Sequence, residues 1–384
     1  MVRRTIALFI PSLGVGGAER QALQLAQNLD EGRWRVLLLT HGHEQAGADT
    51  TGNVTHIPLG RRKGILLVAR LAAILAREEV QIVQAFLPGA QVYAIPAKFL
   101  VRNVKLVAAV RASMGVNQIA GWKGKLSHAI VFGFRGLVDR YVFNSSAGER
   151  ALGGRLPPGR RRVIFNGIDT ARFLPDPAAR AYLREVLGAP QNSAIVGIVA
   201  NVNGDKGYET FVRAAGIVAR DMPNVFFVAV GDYRNDLGRR IEALVAELSL
   251  APRFRFLGAR TDVERIIPGM DLVCSASSSE GFSNAIAEAM ACGVPCVVTA
   301  VGDSAFIVGE TGIVVQPHDS AALASGLRSL LLARPDDLRR RGRSARQRIE
   351  EHFGIRQMVE QYESLYESLL ARPGKRSDGA SVNG

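Results

Sequence analysis

The chain is poor in cysteine. Its 384 residues include only three, Cys274, Cys292 and Cys296, all in apolar stretches of the second half. An odd number without regular spacing argues against a disulfide framework, and the lack of a Cys-x-x-Cys pair argues against a structural zinc site. We therefore expect reduced thiols in a cytoplasmic protein.

Long hydrophobic segments are missing as well. The longest uncharged run, residues 80–97, contains three glutamines and two prolines; it predicts a strand, a turn and a helix, because a membrane span needs about 20 apolar residues. Near the N-terminus, apolar residues 5–10 follow two arginines, as in a signal peptide. Pro11 and several glycines then end the run without a cleavage site, so we interpret it as a buried first strand. We expect a soluble protein, or one bound peripherally to a membrane.

Acidic residues are scarce in the first half. Residues 1–175 carry 24 lysines and arginines against 10 acidic residues, the remaining 209 carry 24 against 25, and the net charge is +13. A basic half implies an anionic partner: phospholipid, a phosphorylated acceptor or nucleic acid. Aromatic residues make up only 7% of the chain and are not interleaved with the basic ones. Nucleic-acid binding is therefore the weaker alternative.

What the chain does contain is a regular alternation of short β-branched runs and segments with helical spacing. Strands that are apolar throughout and separated by helices predict parallel sheets covered on both faces. The pattern therefore predicts an α/β protein with two doubly wound, Rossmann-like domains. The predicted strands are 5–10, 35–40, 54–58, 81–85, 105–110, 140–143 and 162–165, then 194–199, 225–230, 254–257, 272–275 and 295–299; helices are predicted at 21–29 and 65–77.

Two turn-rich stretches, 174–177 and 188–193, mark the boundary between the domains. We predict a first domain over residues 1–175 and a second over 176–352. Residues 355–370 have apolar side chains on one face and predict a final helix that must dock on another surface. Residues 372–384 predict a disordered tail.

The segment Glu280-Gly-Phe-Ser-Asn-Ala-Ile-Ala-Glu288 follows an apolar strand and leads into a helix that begins near Ser283. A helix N-terminus at the carboxyl end of a parallel strand presents free N–H groups, which attract phosphate. Gly281 permits close backbone approach, and Ser283 and Asn284 suit a helix cap. Glu288, one turn into the helix, can accept hydrogen bonds from ribose hydroxyls, and Glu280 faces the group attached to the phosphate.

This segment resembles the Glu-x7-Glu signature of the retaining glycosyltransferases of family 4, which have the GT-B fold. In that family the second glutamate binds the ribose and the first contacts the sugar, roles that the resemblance assigns to Glu288 and Glu280. It also implies that Gly281, Phe282, Ser283 and Asn284 belong to the donor site. The resemblance covers residues 3–371. It implies two domains facing each other across a cleft, with the donor on the second, the acceptor on the first, and the last helix (353–371) returning to the first.

A glycine-rich segment after the first strand resembles the loop of that family that approaches the donor's phosphates and sugar. It reads Gly-Val-Gly-Gly-Ala-Glu-Arg over residues 14–20 and includes Gly16 and Gly17. Glu19 replaces the third glycine of a dinucleotide-binding fingerprint, which argues against a nicotinamide enzyme. Residues 142–146 and 165–169 are weaker matches to the family.

Residues 199–207 resemble the family's diphosphate loop. Lys206 would be its cation and would offset charge on the departing diphosphate. The resemblance also assigns Asn201 to donor binding, at a position where the family usually has a second basic residue. Arg111 lies near the position where the family often has a histidine, and it is a candidate for contact with phosphate or acceptor.

The resemblance predicts a retaining glycosyltransferase of the hexosyl or N-acetylhexosaminyl type. It would move a sugar from a nucleoside-diphosphate sugar to an acceptor hydroxyl in the synthesis of cell-envelope polysaccharide or lipid-linked glycans. Lys206 and Glu280 are its predicted catalytic residues, no metal or other cofactor is expected, and the leaving diphosphate is the expected base. A non-hydrolysing epimerase of nucleotide sugars on the same fold is the alternative.

The basic first half predicts where the acceptor is found. Trp122 and the apolar stretch 129–134 lie between basic residues, a mixture suited to the headgroup region of a bilayer. We expect peripheral binding to an anionic membrane on its inner face and a lipid-linked or glycan acceptor; a solvated basic surface is the alternative. The basic residues concerned are Arg61, Arg62, Lys63, Arg102, Lys105, Lys123, Lys125, Arg135 and Arg160–Arg162.

Overall fold

The computed structural model describes residues 3–13, 16–41, 53–61, 63–111 and 133–371. Within these ranges the strands form two separate sheets, and all the neighbouring strands pair in parallel. Helices flank both sheets, and the predicted pair of doubly wound α/β domains is therefore confirmed.

The first sheet contains β1 (Arg4–Ile10), β2 (Trp34–Thr40), β3 (Val54–Pro58), β4 (Ile82–Phe86), β5 (Lys105–Val110), β6 (Arg140–Phe143) and β7 (Arg161–Val163). Their order across the sheet is β3-β2-β1-β4-β5-β6-β7. Residues Ile6–Ile10 of the interior strand β1 are fully buried, because both faces are covered and both must be apolar. We call this sheet and its helices the first domain.

The second sheet contains β8 (Ala194–Val199), β9 (Val225–Val230), β10 (Phe254–Gly258), β11 (Leu272–Ser275), β12 (Cys296–Thr299) and β13 (Ile313–Val315). Their order is β10-β9-β8-β11-β12-β13. We call this sheet and its helices the second domain. The three cysteines are buried in it with free thiols.

The described helices alternate with the strands and include one 16-residue helix at the end. None of them combines the length and the apolar composition that a membrane-crossing helix requires. They are α1 (Gly17–Asn28), α2 (Ile65–Arg77), α3 (Leu87–Leu100), α4 (Ser146–Gly153), α5 (Ala179–Leu187), α6 (Tyr208–Asp221), α7 (Asp236–Glu247), α8 (Val263–Ile266), α9 (Asn284–Ala291), α10 (Ser304–Val308), α11 (Ser320–Leu331), α12 (Pro335–His352) and α13 (Ile355–Leu370).

The differences from the predicted elements lie mainly at the sheet edges. β7 was expected at 162–165 and lies slightly earlier, and β13 was not predicted. Both are three-residue edge strands whose side chains are partly buried or exposed, so neither shows a long apolar run. The turn expected between β4 and the next helix is absent, because Leu87, with φ of 67°, begins α3 directly after Phe86.

The last helix, α13, packs on the first domain. Its residues Met358, Tyr362 and Tyr366 are buried against apolar side chains of β1 and β2. The Tyr366 hydroxyl donates a hydrogen bond to Oε1 of Gln84 at 2.7 Å. Since α12 packs against α9 of the second domain, the chain crosses between the domains near Gly354. The domain limits at 175 and 352 stay predictions, and residues 372–384 lie outside the described ranges.

Candidate active site

The candidate site lies where each sheet changes its direction of winding. In the second sheet β8 and β11 are neighbours, and in the first sheet β1 and β4 are neighbours. Loops leaving the carboxyl ends of such strand pairs diverge and leave a crevice in which α/β proteins bind ligands. A cavity of about 300 Å³ lies there, lined from both domains by residues that include Gly17, Arg20, Lys206, Glu280, Ser283 and Asn284.

The loops after β8 and β11 are held against each other. The Ser278 amide donates to the Asp205 carbonyl at 2.8 Å. Gly207 has φ of +64°, and a Cβ there would lie 1.9 Å from the Ala276 carbonyl oxygen, so only glycine permits this approach. The packing brings Nζ of Lys206 to 2.6 Å from Oε1 of Glu280. The sequence predicted both side chains at this site, and the structure places them in direct contact.

Glu280 is held from a second direction by the loop on which it lies. The Ser277 hydroxyl donates to the same Oε1 at 2.9 Å. Behind it, Gly302 has φ of +56°, and a Cβ at that position would lie 2.2 Å from the Glu280 carbonyl oxygen. The carboxylate is therefore oriented by its own loop as well as by Lys206.

The N-terminus of α9 opens toward the cavity. Ser283 is its N-cap residue, but the Ser283 side chain makes no capping hydrogen bond. The N–H groups of a first helical turn need acceptors from outside the helix, and they carry partial positive charge. Without a serine cap, these amides are available to an anion. The sequence expected Ser283 and Asn284 to cap this helix; Ser283 holds that position without making the bond.

Glu288 lies one turn into α9 and is only 6% exposed. Its Oε1 is 2.9 Å from a guanidinium nitrogen of Arg20 on α1. Burial raises the pKa of the Glu288 carboxyl to about 6, against the opposing charges of Arg20 and Arg172. A carboxyl shifted upward by burial and held by a specific cation beside a cleft is typical of functional sites.

A second pair of contacts joins α9 to the first domain. Nδ2 of Asn166 donates to Oδ1 of Asn284 at 2.7 Å. A Cβ on Gly17 would lie 2.9 Å from Nδ2 of Asn284, so a larger residue there would displace the Asn284 side chain where the domains touch. Gly17 therefore contributes close approach between the domains.

Arg111, the residue expected to contact phosphate or acceptor, is hydrogen-bonded to Asn166. Its guanidinium donates to Oδ1 of Asn166 at 2.5 Å and to the Tyr362 hydroxyl at 3.5 Å, and it lies 5.0 Å from the centre of the Phe86 ring. Burial lowers the pKa of this guanidinium. Arg111 thus orients a residue that contacts α9, and its contact with a substrate stays a prediction.

Other predicted residues have mainly structural partners. Oδ1 of Asn201 accepts from the Asp232 amide at 2.8 Å and ties the β8 loop to the β9 loop. Phe282 packs between Phe165 and Phe353, with ring centres 6.0 and 5.5 Å away. Gly16 is the N-cap of α1. Their assignment to donor binding is untested by these contacts.

Two residues that the sequence analysis did not single out are important in the site. Arg20 is the last residue of the glycine-rich segment, and its position in the site follows from its ion pair with Glu288. Asp303, nearly fully buried, accepts from the amides of Ser146 and Ala147 at 2.6 and 3.0 Å, and its own amide donates to the Gly281 carbonyl at 3.0 Å. It therefore connects the start of α4 with the Glu280 loop.

Among the described residues, no cluster of His, Cys, Asp and Glu is suited to a metal ion.

Each of the two domains matches a known protein family. Residues 15–172 match the family model Glycosyltransferase Family 4, and residues 193–333 match Glycosyl transferases group 1. A D-inositol 3-phosphate glycosyltransferase from Mycobacterium sp. (strain KMS) is 34% identical over 53% of this chain and 47% of its own. The lipopolysaccharide core biosynthesis mannosyltransferase LpsB of Rhizobium meliloti is 30% identical over 54% of this chain and 61% of its own. The match thus spans about half the length of these curated relatives.

The solved structures extend the likeness to the whole fold. The Anabaena protein HepE, in complex with UDP and glucose, superposes with a TM-score of 0.81 at 22% identity over 94% of this chain and 99% of HepE. At that identity the likeness establishes the fold, and the expected GT-B architecture is confirmed. Because the two family models match one domain each and together span most of the chain, the protein belongs to the glycosyltransferases of the family 4 and group 1 type.

Proposed function

We propose that the protein transfers a sugar from a nucleoside-diphosphate sugar to an acceptor hydroxyl, with retention of the anomeric configuration. The observation that carries this proposal is the cavity between the domains, where Lys206, Glu280 and the N-terminus of α9 converge on one side and α1 closes the other. The complex of HepE with UDP and glucose supports a nucleotide sugar as the donor.

The diphosphate, the ribose and the sugar of a nucleotide sugar each have a counterpart in or beside this cavity. The diphosphate lies over the first turn of α9, where unpaired N–H groups and Lys206 supply positive charge. The ribose hydroxyls donate to Glu288, whose carboxylate lies one turn further along the same helix. The sugar then lies toward Glu280. This order follows the order of these residues along the loop and helix.

Stabilisation of the leaving group is the main chemical contribution of the protein. Transfer breaks the bond between the anomeric carbon and the diphosphate, so negative charge accumulates on the diphosphate oxygens. A lysine and helix amides fixed in a cleft stabilise that charge without a divalent cation. The departing diphosphate accepts the proton of the acceptor hydroxyl, and a retaining enzyme of this type therefore needs no separate side-chain base.

The acceptor is proposed to lie on the first domain and to belong to a cell-envelope or lipid-linked glycan, with the enzyme in the cytoplasm on the inner face of the membrane. LpsB, a mannosyltransferase of lipopolysaccharide core synthesis, supports this class. The first domain also exposes Phe99, Leu100 and Phe134 by 59%, 62% and 48%, beside basic Arg102 and Arg135. Aromatic and basic side chains together favour the headgroup region of an anionic bilayer.

The structure reduces the number of basic residues available for such binding. Arg160 donates to the carbonyls of Gly136 and Val138, and Arg161 forms a 2.7 Å ion pair with Glu149. These two arginines stabilise the fold around β7. Residues 112–132, with Trp122, Lys123 and Lys125, lie outside the described ranges, so their part in the proposal rests on the sequence.

Transfer to a membrane extract tests the function. The protein is incubated with radiolabelled UDP-glucose, UDP-N-acetylglucosamine, GDP-mannose or ADP-glucose and with cell-envelope lipids of a Gram-negative bacterium. We expect label from one donor in the lipid or glycan fraction, the same anomeric configuration in product and donor by NMR, and unchanged transfer in EDTA. Donor epimerisation without acceptor would instead indicate an epimerase, and inversion would contradict the proposed stereochemistry.

A further inference from the structure

Arg20 and Glu288 form an ion pair between the two domains. Arg20 lies in the first turns of α1 in the first domain, and Glu288 lies on α9 in the second. Their atoms are 2.9 Å apart, and their side chains are 34% and 8% exposed, respectively. Arg20 can therefore reach solvent, whereas the carboxylate of Glu288 is almost entirely enclosed. Both helices begin at the cavity described above.

Other charged and titratable groups also face Glu288. Arg172 interacts favourably with the Glu288 carboxylate, whereas Glu264 of α8 interacts unfavourably with it. The Cys292 thiol at the end of α9 is also a neighbour, and burial and the Glu288 charge raise its pKa. Arg172 is itself paired with Glu264 at 3.0 Å. Among the described residues, Arg20 is the basic side chain that forms an ion pair with Glu288.

We propose that Arg20 is a positioning residue that keeps the Glu288 carboxylate ionised and directed at the ribose of the donor, so that the nucleotide site is complete only when the two domains touch. The proposal rests on the proposed function, in which Glu288 binds ribose hydroxyls. It adds a charged side chain of the first domain to a site in which Glu288 and Lys206, the proposed ribose and diphosphate contacts, belong to the second.

The physical reason is the number of acceptors that the carboxyl offers. An ionised carboxylate only accepts hydrogen bonds, which suits two ribose hydroxyls; a protonated carboxyl uses one oxygen as a donor. Burial already raises the pKa of Glu288 to about 6, so the group is close to protonation near neutral pH. Loss of Arg20 removes an opposing charge and raises that pKa further.

The pH dependence of donor binding tests this role. Affinity is measured by titration calorimetry between pH 5.5 and 8.5, with whichever of UDP-glucose, UDP-N-acetylglucosamine, GDP-mannose and ADP-glucose binds the wild type. The diphosphate of such a donor is a diester and does not titrate in this range. The variants are Arg20→Gln, Arg20→Lys and Glu288→Gln, with Arg239→Gln as control, since Arg239 is exposed on α7 in a pair with Asp236.

We expect wild-type affinity to fall as the pH drops through about 6, where Glu288 takes up its proton. In Arg20→Gln the fall should begin at higher pH, with at least a tenfold loss near pH 7 and recovery toward pH 8.5. Arg20→Lys should restore part of the wild-type profile, and Glu288→Gln should bind weakly without this pH step. Adding Arg20→Gln to Glu288→Gln should cause no further loss.

Three results would overturn the inference. If donor binds and Arg20→Gln has the wild-type pH profile, Arg20 does not position Glu288. If Arg20→Gln weakens binding equally at every pH and also in the Glu288→Gln background, Arg20 contacts the diphosphate directly. If no nucleotide sugar of the panel binds the folded wild type, the proposed function fails first and the inference fails with it. Melting temperatures show whether each variant is folded.

Discussion

Nζ of Lys206 lies 2.6 Å from Oε1 of Glu280, and both side chains are largely enclosed between the loops that follow β8 and β11. The ammonium that we assign to the leaving diphosphate is thus already paired with the carboxylate that we assign to the sugar. A diphosphate that enters the cavity competes with Glu280 for Lys206. The two residues should therefore affect binding of the free nucleoside diphosphate in opposite directions.

Replacing Lys206 with alanine removes the cation from the proposed leaving-group site. We expect turnover to fall about 100-fold or more, as for other fixed electrostatic stabilisers, and affinity for the free nucleoside diphosphate to fall as well. Steady-state kinetics and calorimetry measure the two effects. Arg239→Ala, at an exposed basic residue of α7, is the control; wild-type turnover in Lys206→Ala would assign Lys206 to the loop structure alone.

Replacing Glu280 with glutamine should separate binding from chemistry. The variant loses the negative charge that competes for Lys206, so the free nucleoside diphosphate should bind several-fold tighter. Turnover should fall, because the proposed contact with the sugar changes. Equal losses of diphosphate affinity in Glu280→Gln and Lys206→Ala would show that the pair acts as one binding unit, contrary to this expectation.

Glu288 should reduce the stability of the fold at neutral pH. Its pKa rises from the ordinary 4.5 to about 6 on folding, so the folded protein holds the proton more tightly than the unfolded chain. Stability is therefore lost as the pH rises from about 4.5 through 6. The shift in the Glu288 pKa lowers the free energy of unfolding by about 2 kcal/mol at a pH where Glu288 is ionised in both the folded and the unfolded protein.

Glu288→Gln should accordingly be more stable than the wild type at pH 8 by up to about 2 kcal/mol, and the difference should vanish below about pH 4.5. Denaturant unfolding at several pH values measures it. The same variant should bind donor more weakly, by about 1–3 kcal/mol, the range for hydrogen bonds to a charged group. A variant that is less stable at pH 8, with unaltered donor affinity, would make Glu288 a structural residue.

The sequence predicted most of this fold because the buried strands are apolar on both faces. The predicted bounds are correct for β3, β5, β6, β8, β9 and β11. Each of these strands is a short run of mostly apolar or β-branched residues between turn residues. β13 could not be found in this way: its three residues are partly buried or exposed, and it is a strand because it pairs with β12. Pairing of an edge strand depends on tertiary structure, which local pattern does not contain.

For the site, the motif predicted residues of the second domain but not their partners. Glu280, Lys206 and Glu288 lie in recognisable segments, and they line one cavity or adjoin it. Arg20 and Asp303 act across the domain boundary, and their contacts lie 268 and about 157 residues apart in the chain. Such partners depend on how the domains meet. Asn201 shows the reverse case, since a position expected to face the donor bonds to the neighbouring loop.

Membrane binding can be tested on the described part of the first domain. Leu100→Ser combined with Arg102→Glu should reduce flotation with anionic vesicles, because each basic residue near an anionic surface contributes about 1 kcal/mol. Flotation should also weaken as salt rises. Leu332→Ser is the control, as Leu332 is 75% exposed on the second domain. Equal recovery with neutral and anionic vesicles, or none with either, would remove the membrane proposal and leave donor binding unaffected.

The most direct test of the account is titration calorimetry of the wild type, two site variants and one control variant with the four nucleotide sugars. We predict that one donor binds with 1:1 stoichiometry, that Lys206→Ala and Glu288→Gln each weaken it at least fivefold, and that Arg239→Gln binds it like the wild type. Fivefold corresponds to about 1 kcal/mol, the lower end for a lost hydrogen bond to a charged group. Absence of binding by all four donors, or binding that neither variant changes, would contradict the assignment of this cavity as the donor site.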